Sequence, residues 1–223
     1  NQYVREPINS FTHLAGAIFA LIGLIALIVK AVSEGHSMLG LLAVIIFGVS
    51  MILLYSASAT YHMVIAKDKV ISWLRRIDHS MIFVLIAGTY TPFCLITLNN
   101  TLGWILFCVI NGLALLGVIF KLTWFSSPRW LSTSIYLVMG WLVIFFTGEL
   151  APSLGTGGMA YLILGGIAYT VGGIIYGFKP KFLQIKNWGF HEIFHIFILL
   201  AVFFISFVCT GMSCSILLFK IVK

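Results

Sequence analysis

Residues 39–62 read LGLLAVIIFGVSMILLYSASATYH. No acidic, lysine or arginine side chain interrupts them, and a helix needs roughly 20 apolar residues to cross a bilayer. A strand of a membrane β-barrel would instead show strict alternation over about ten residues. This run is continuously apolar and more than twice that length, and a helix satisfies every backbone polar group within one span. The stretch therefore predicts a transmembrane helix.

The whole chain has the composition of this stretch. Hydrophobic residues make up 61% of its 223 residues and charged residues 9%, whereas a typical globular domain is about half apolar and a quarter charged. So few charges cannot cover the surface of a soluble domain of this length. We expect one all-α integral membrane domain over residues 1–223. No short apolar segment with a cleavage site precedes the first long run, so we expect no cleaved signal peptide.

Seven apolar runs are long enough to cross a membrane, and short gaps make consecutive helices antiparallel. They are residues 10–32, 38–64, 74–98, 102–121, 130–150, 157–178 and 189–217. Ten lysine and arginine residues fall on the side that holds the N-terminus, against three on the other. The positive-inside rule then predicts an N-terminus inside and a C-terminus outside, in a multi-pass protein of the plasma membrane.

The net charge of +7 does not indicate nucleic-acid binding, because the basic residues lie in short gaps between apolar runs rather than in one stripe. Such clusters set orientation and contact anionic lipid head groups. We therefore expect membrane lipids as partners and no nucleic acid. Gly173 and Gly177, in the glycine-rich sixth run, have the G-x-x-x-G spacing of close helix packing. A homo-oligomer formed through this sixth helix is the alternative use of that motif.

A small set of polar residues lies inside the predicted spans, where ionisable groups are expensive and usually face the interior of the bundle. Each falls near the inner end of its span. His62 follows Ser58 by four residues in the second span, and His195 follows His191 by four residues in the seventh, so each pair shares a helix face. Asp78 lies at the inner start of the third span. These five residues are therefore expected at similar depth.

Three histidines at matching depth suit zinc, which takes tetrahedral nitrogen ligands and keeps one position open for water in catalytic sites. His62, His191 and His195 are the predicted metal ligands. Asp78 would orient the water or take its proton, and Ser58 would hydrogen-bond the water or a substrate carbonyl. Iron, cobalt and nickel also accept imidazole, and a histidine near a span end can instead serve as a polar anchor at the interface.

Other polar residues in these regions receive different assignments. His13 is expected to be an interfacial anchor, with a place beside the metal as the alternative. His79 adjoins Asp78 and points about 100° away from it on a helix, so we do not assign it as a ligand. HEIFH, residues 191–195, matches the H-E-x-x-H protease motif, in which Glu192 would be the general base. Membrane zinc proteases, however, carry an aspartate followed by glycine after the histidines. Here the only candidate, Asp78, precedes the histidines and is followed by His79. We therefore expect Glu192 at the rim or in a bond behind the ligands.

The order of these motifs resembles a superfamily of seven-span membrane proteins regarded as metal-dependent hydrolases. It groups alkaline ceramidases, progestin and adipoQ receptors and bacterial hemolysin III proteins. The motifs are S-x-x-x-H in the second span, an aspartate in the third and H-x-x-x-H in the seventh. EPINSFTHLAG (6–16) and RIDHSMIFVLIAGTYTPF (76–93) are most similar to the hemolysin III branch.

This resemblance covers essentially the whole chain. It implies zinc held by His62, His191 and His195, with Asp78 and Ser58 close to the water, and it also implies the inside N-terminus that the charge distribution predicts. The resulting hypothesis is a zinc-dependent hydrolase of a membrane lipid amide or ester, with a role in membrane lipid homeostasis. One alternative is a non-enzymatic membrane sensor with a structural zinc. The other is a cytolytic pore, as the family name suggests, although short gaps leave no large amphipathic or soluble pore-forming segment.

Overall fold

A computed structural model describes residues 3–184 and 188–221, with side chains as far as Gly211. Four long helices come first: α1 (Pro7–Ser33), α2 (Met38–Met63), α3 (Asp68–Pro92) and α4 (Thr101–Thr123). The second half contains α5 (Arg129–Trp141), a 3-10 segment (Leu142–Phe146), α6 (Thr147–Phe178) and α7 (Phe190–Ile221). Six helical stretches of the described chain are long and apolar enough to cross a membrane.

The fifth of these stretches, Arg129–Phe178, is 50 residues long and contains two spans. It breaks at Gly155, whose φ of 63° lies in the region that glycine adopts without steric cost. Beyond this break the chain reverses, because Gly177 packs beside Thr133 and Gly173 beside Leu137. Residues 129–154 and 156–178 are thus the fifth and sixth spans. The predicted bundle of seven spans is confirmed, and its two ends lie on opposite faces.

Helix α3 begins at Asp68, whereas the sequence predicted a start near residue 74. Its first turns are polar and carry Lys69, Arg75 and Arg76, so hydropathy did not include them. Asp78 therefore lies about three turns into the helix rather than at its start. The other spans begin within three residues of their predicted starts. The first begins at Pro7, where proline's missing N–H costs nothing.

Glycines allow the close packing of neighbouring helices within the chain. Gly165 of α6 lies against Ile205 of α7, and Gly88 of α3 lies against Ser50 of α2. Both glycines of the G-x-x-x-G motif face the fifth span, so its close packing is intramolecular. A homo-oligomer through the sixth helix stays a prediction, and it would use the remaining, lipid-facing side of that helix.

A buried tyrosine of α3, Tyr90, bonds to the backbone of the fifth span. The Tyr90 hydroxyl accepts a hydrogen bond from Val143 N at 2.8 Å and lies 2.8 Å from the carbonyl oxygens of Met139 and Gly140. It therefore satisfies backbone groups where α5 gives way to the 3-10 segment. This contact places the irregular part of the fifth span against the core of α3.

Candidate metal centre

Three imidazole rings meet at one end of the bundle. His62 is in the last turn of α2, and His191 and His195 are in the first two turns of α7. One ring nitrogen from each lies within 4.8 Å of those of the other two. Nε2 of His191 is 3.2 Å from Nε2 of His62, and the centroid of the His195 ring is 5.0 Å from that of His62. We call these residues the three-histidine site.

The separation of one donor pair fits a tetrahedral metal ion, and all three donor nitrogens lie within 4.8 Å of one another. Zinc–nitrogen bonds of 2.0–2.1 Å at a tetrahedral angle separate two ligand nitrogens by about 3.4 Å. The Nε2–Nε2 distance of 3.2 Å between His62 and His191 is close to that value. His62 and His195 are each 1% exposed, so little water would compete for their nitrogens. The three residues could therefore hold zinc, and the same imidazoles would also accept iron, cobalt or nickel.

Glu6 fixes the orientation of one of these rings. Its Oε2 lies 2.7 Å from Nδ1 of His62, so a proton on Nδ1 leaves the Nε2 lone pair directed at the other two rings. Metal-ligating histidines almost always donate their second ring N–H in this way. The bond to His62 is also the main reason that the pKa of Glu6 falls from 4.5 to about 2, with smaller contributions from Asn9 and Arg5.

The chain just before α1 holds Glu6 in place. The last carbonyls of a helix have no partner within that helix. At the end of α2 they accept hydrogen bonds from the segment that precedes α1. Arg5 N donates to Met63 O at 3.3 Å, and Glu6 N donates to His62 O at 3.0 Å. The Nδ2 of Asn9 donates to Glu6 Oε2 at 3.1 Å. The N-terminal segment therefore packs along the end of α2 and directs the Glu6 carboxylate at the ring.

Asp78 and Ser58 lie beside the three-histidine site. Both are buried, at 7% and 1% exposure. The Ser58 hydroxyl neighbours the Asp78 carboxyl without forming a hydrogen bond to the described residues. Both line the same cavity as His191 and His195. The fold therefore brings all five predicted residues together from three helices.

The cavity beside these residues has a volume of about 260 Å³, and we call it the apolar cavity. Side chains of α3, the fifth and sixth spans and α7 form most of its wall, and most of them are apolar. Along α7 the lining continues from His195 to Ile205, and ten residues of helix correspond to roughly 15 Å. The cavity is thus a long, mostly apolar space with its aspartate and histidine side chains at one end.

Comparison with known proteins agrees with this architecture. A profile of the family described as Haemolysin-III related matches residues 1–206. The chain belongs to the haemolysin III family. It is 43% identical over 197 residues to the Hemolysin-3 homolog of Bacillus subtilis (strain 168), an alignment that covers 88% of this chain and 89% of that protein. It is 42% identical over 199 residues to Hemolysin-3 of Bacillus cereus, covering 89% and 87%. The resemblance drawn from the motifs is confirmed.

The haemolysin III chain is a multi-pass membrane protein. Both carboxylate oxygens of its Glu192 are engaged in hydrogen bonds within the protein, unlike those of a protease's general base. One carboxylate oxygen of Glu192 accepts a hydrogen bond from Gly189 N at 2.8 Å, and the other accepts one from Asn9 at 2.8 Å. The first bond satisfies a free N–H at the start of α7, and the second joins that helix to α1. Glu192 therefore connects α7 to α1.

Two further histidines of this haemolysin III chain occupy different positions, one packed against the three-histidine site and one outside it. His13 is 3% exposed, and its ring stacks on that of His195 with centroids 3.6 Å apart and an angle of 8°. The expectation of an interfacial anchor was wrong, because the close approach of α1 to α7 buries the ring. The Nε2 of His79 lies 3.2 Å from the Tyr176 hydroxyl, outside the three-histidine site. Its exclusion as a ligand agrees with this position.

Sequence reasoning missed Glu6 and Asn9 as parts of the site. Both lie in the EPINSFTHLAG segment, which carried the family resemblance but in which only His13 received a role. A usable signal was present, because a buried metal-binding imidazole needs an acceptor for its second N–H. Acidic residues number only six in the chain, and Glu6 is the one closest to the predicted start of the first span.

Proposed function

We propose that this protein is a zinc-dependent hydrolase that cleaves an amide or ester bond of a membrane lipid. The supporting observation is the position of the three-histidine site at one end of a long apolar cavity, beside a buried carboxyl and a buried hydroxyl. A purely structural metal would require neither the cavity nor these two groups. A lipid substrate explains all three features.

Each polar residue has a role in this proposal. Zinc held by the three imidazoles would supply a bound water whose pKa is lowered to about 7. The Asp78 carboxylate would take a proton from the attacking water and return it to the leaving amine or alcohol. The Ser58 hydroxyl would donate a hydrogen bond to the carbonyl oxygen as negative charge develops there. Glu6 keeps the His62 ring in the required tautomer.

The apolar cavity would bind the hydrocarbon chain of the substrate. Its wall includes Phe93, Met159, Leu162 and Ile198, which offer no hydrogen bond to a polar ligand. An extended chain lying along α7 would bring its carbonyl end to the polar groups, while the wall keeps bulk water away. Burial of apolar surface favours such binding by about 25 cal/mol per Å².

Metal content and lipid turnover by the purified protein test this proposal. Elemental analysis should find about one zinc per chain, and His62→Ala should lose both the metal and fatty-acid release from ceramide or phospholipid vesicles. Asp78→Asn should keep the metal and lose activity by 10²–10⁴-fold, the usual contribution of general acid–base catalysis. Lys69→Gln, an exposed substitution, is the control. Zinc-loaded protein that releases no fatty acid from any lipid class would refute the proposal.

A non-enzymatic membrane sensor with a structural zinc is the second candidate. The bonds from Asn9 to both Glu6 and Glu192 favour it, because they connect helices α1, α2 and α7 around the histidines. In that case chelation should lower the melting temperature, while Asp78→Asn and Ser58→Ala leave membrane lipid composition unchanged in cells. The name of the Bacillus cereus relative suggests a third candidate, a cytolytic protein. A cytolytic activity predicts that the protein, at low concentration, causes dye to leak from pure liposomes.

A further inference from the structure

A second cavity lies next to the apolar one and has the opposite chemistry. It has a volume of about 50 Å³, and we call it the basic pocket. Three cationic side chains line it: Arg75 of α3, Lys121 of α4 and Arg129 of α5. All three belong to the side of the membrane that the charge distribution assigns to the inside. Neither the metal nor the proposed hydrolysis uses any of them.

The three cations have no acidic partner. All six acidic residues of the chain lie in its described part. Three of them, Glu6, Glu34 and Asp78, form ion pairs, and these go to Arg5, Lys30 and histidines. Asp78 is within electrostatic range of Arg75 but forms no ion pair with it. Lys121 is buried, and Arg75 and Arg129 are partly buried; a buried ammonium without a counter-charge is unfavourable, and neighbouring positive charges add to that cost. This excess of positive charge is what an anion would neutralise.

The pocket also provides hydrogen-bond donors in suitable positions. Lys121 is only 4% exposed, and its Nζ donates to Ser127 Oγ at 3.2 Å. Ser127 and Ser132 are both buried, with their hydroxyl oxygens 3.4 Å apart. The Arg75 guanidinium lies over the Phe125 ring at 5.0 Å from the ring centroid, an arrangement that leaves its N–H edge available. Arginine edges bind phosphate through paired hydrogen bonds.

Size and position narrow the choice of anion. A cavity of about 50 Å³ is roughly four times what one water molecule needs, which suits a single tetrahedral phosphate but not an acyl chain. His79, Tyr136 and Tyr176 line both the basic pocket and the apolar cavity. The two spaces are therefore adjacent, so a phosphate in one and a hydrocarbon chain in the other could belong to a single molecule.

We infer that the basic pocket binds the phosphate group of a lipid headgroup, whose acyl chain occupies the apolar cavity. This inference rests on the proposed function and deepens it by naming the substrate class, a phosphate-bearing lipid. The phosphate would hold the headgroup at the inner face, and the chain would pass the three-histidine site on its way along α7. A neutral lipid of the same chain length would lack this anchor.

The test measures lipid binding without hydrolysis. The full chain in neutral maltoside detergent is titrated with dioleoyl phosphatidic acid or with dioleoylglycerol, which differ only in the phosphate, and bound lipid is counted by native mass spectrometry. Phosphatidic acid should bind at least about tenfold more tightly, equivalent to ~1.4 kcal/mol. Inorganic phosphate at equal concentration should not displace it. Equal affinity for the two lipids, or displacement by inorganic phosphate, would overturn the assignment to a lipid.

Matched variants complete the test. Arg75→Gln/Arg129→Gln should weaken phosphatidic acid binding about tenfold, and Lys121→Gln provides a second variant if the double substitution does not fold. Lys67→Gln/Lys69→Gln removes the same charge from exposed positions and should bind as the wild type does. Unchanged binding in the pocket variants overturns the inference. His191→Ala should lose metal but keep the lipid, so failure of the hydrolase proposal is seen separately.

Discussion

Removal of the Glu6 carboxylate tests whether the three-histidine site is built for a metal. In Glu6→Ala, Nδ1 of His62 loses its acceptor at 2.7 Å, so nothing fixes the tautomer that presents Nε2 to a metal. In Glu6→Gln an amide oxygen can still accept the hydrogen bond, but the negative charge is gone. We therefore expect zinc affinity to decrease from wild type to Gln to Ala.

The structure also sets the size of this effect. Substitution of a residue that supports a metal ligand commonly reduces metal affinity 10–100-fold, which corresponds to about 1.4–2.8 kcal/mol. The Glu6 side chain is 39% exposed, so water screens part of its charge and a new water can replace it as acceptor. We expect a loss of about tenfold for Glu6→Ala and a smaller loss for Glu6→Gln.

Competition with a chromophoric zinc chelator measures this affinity on purified protein in detergent. Glu149→Gln, which alters an exposed carboxylate on α6, is the matched control and should bind zinc as the wild type does. Circular dichroism confirms that each variant is folded. If folded Glu6→Ala binds zinc within twofold of the wild type, the orienting role of Glu6 is refuted.

Three further predictions concern packing and the metal. Gly88→Ala presses a methyl group against a buried serine of α2 and should destabilise the protein by about 1–3 kcal/mol in thermal unfolding. The control Gly112→Ala places its methyl group in open space and should not destabilise the protein, so equal melting temperatures of the two variants would contradict the packing. Tyr90→Phe leaves the Val143 N–H without its acceptor, a cost of about 1–3 kcal/mol that should appear as faster hydrogen exchange in the fifth span, and unchanged exchange would argue against the contact. Chelation should lower the melting temperature of the wild type and leave that of His195→Ala unchanged, whereas equal shifts would show that the metal is held elsewhere.

The seven spans and the five polar residues could be predicted because their signals are local. Length and hydropathy identify a membrane helix within its own sequence, and i,i+4 spacing places His191 and His195 on one face. The turn between the fifth and sixth spans was visible as APSLGTGG, and Gly155 provides its positive φ. The polar first turns of α3 gave no hydropathy signal, so its start was missed.

Contacts between distant parts of the chain could not be predicted from such signals. Glu6 meets a histidine that lies 56 residues away, and His13 stacks on a ring in the last helix. Neither contact follows from spacing along one helix. Both depend on how α1 packs between α2 and α7, which a single sequence does not specify. The basic pocket was missed for the same reason, since its three cations come from three different helices.

The separation of the ligands has a consequence for biogenesis. His62 and His191 are 129 residues apart in the chain, and two of the three rings belong to α7, which is synthesised after the first six spans. A nascent chain therefore carries only one of the three imidazoles until α7 has entered the bilayer. Metal loading at the three-histidine site would therefore follow the insertion of α7, so cofactor delivery would act as a checkpoint that a product truncated before α7 cannot pass.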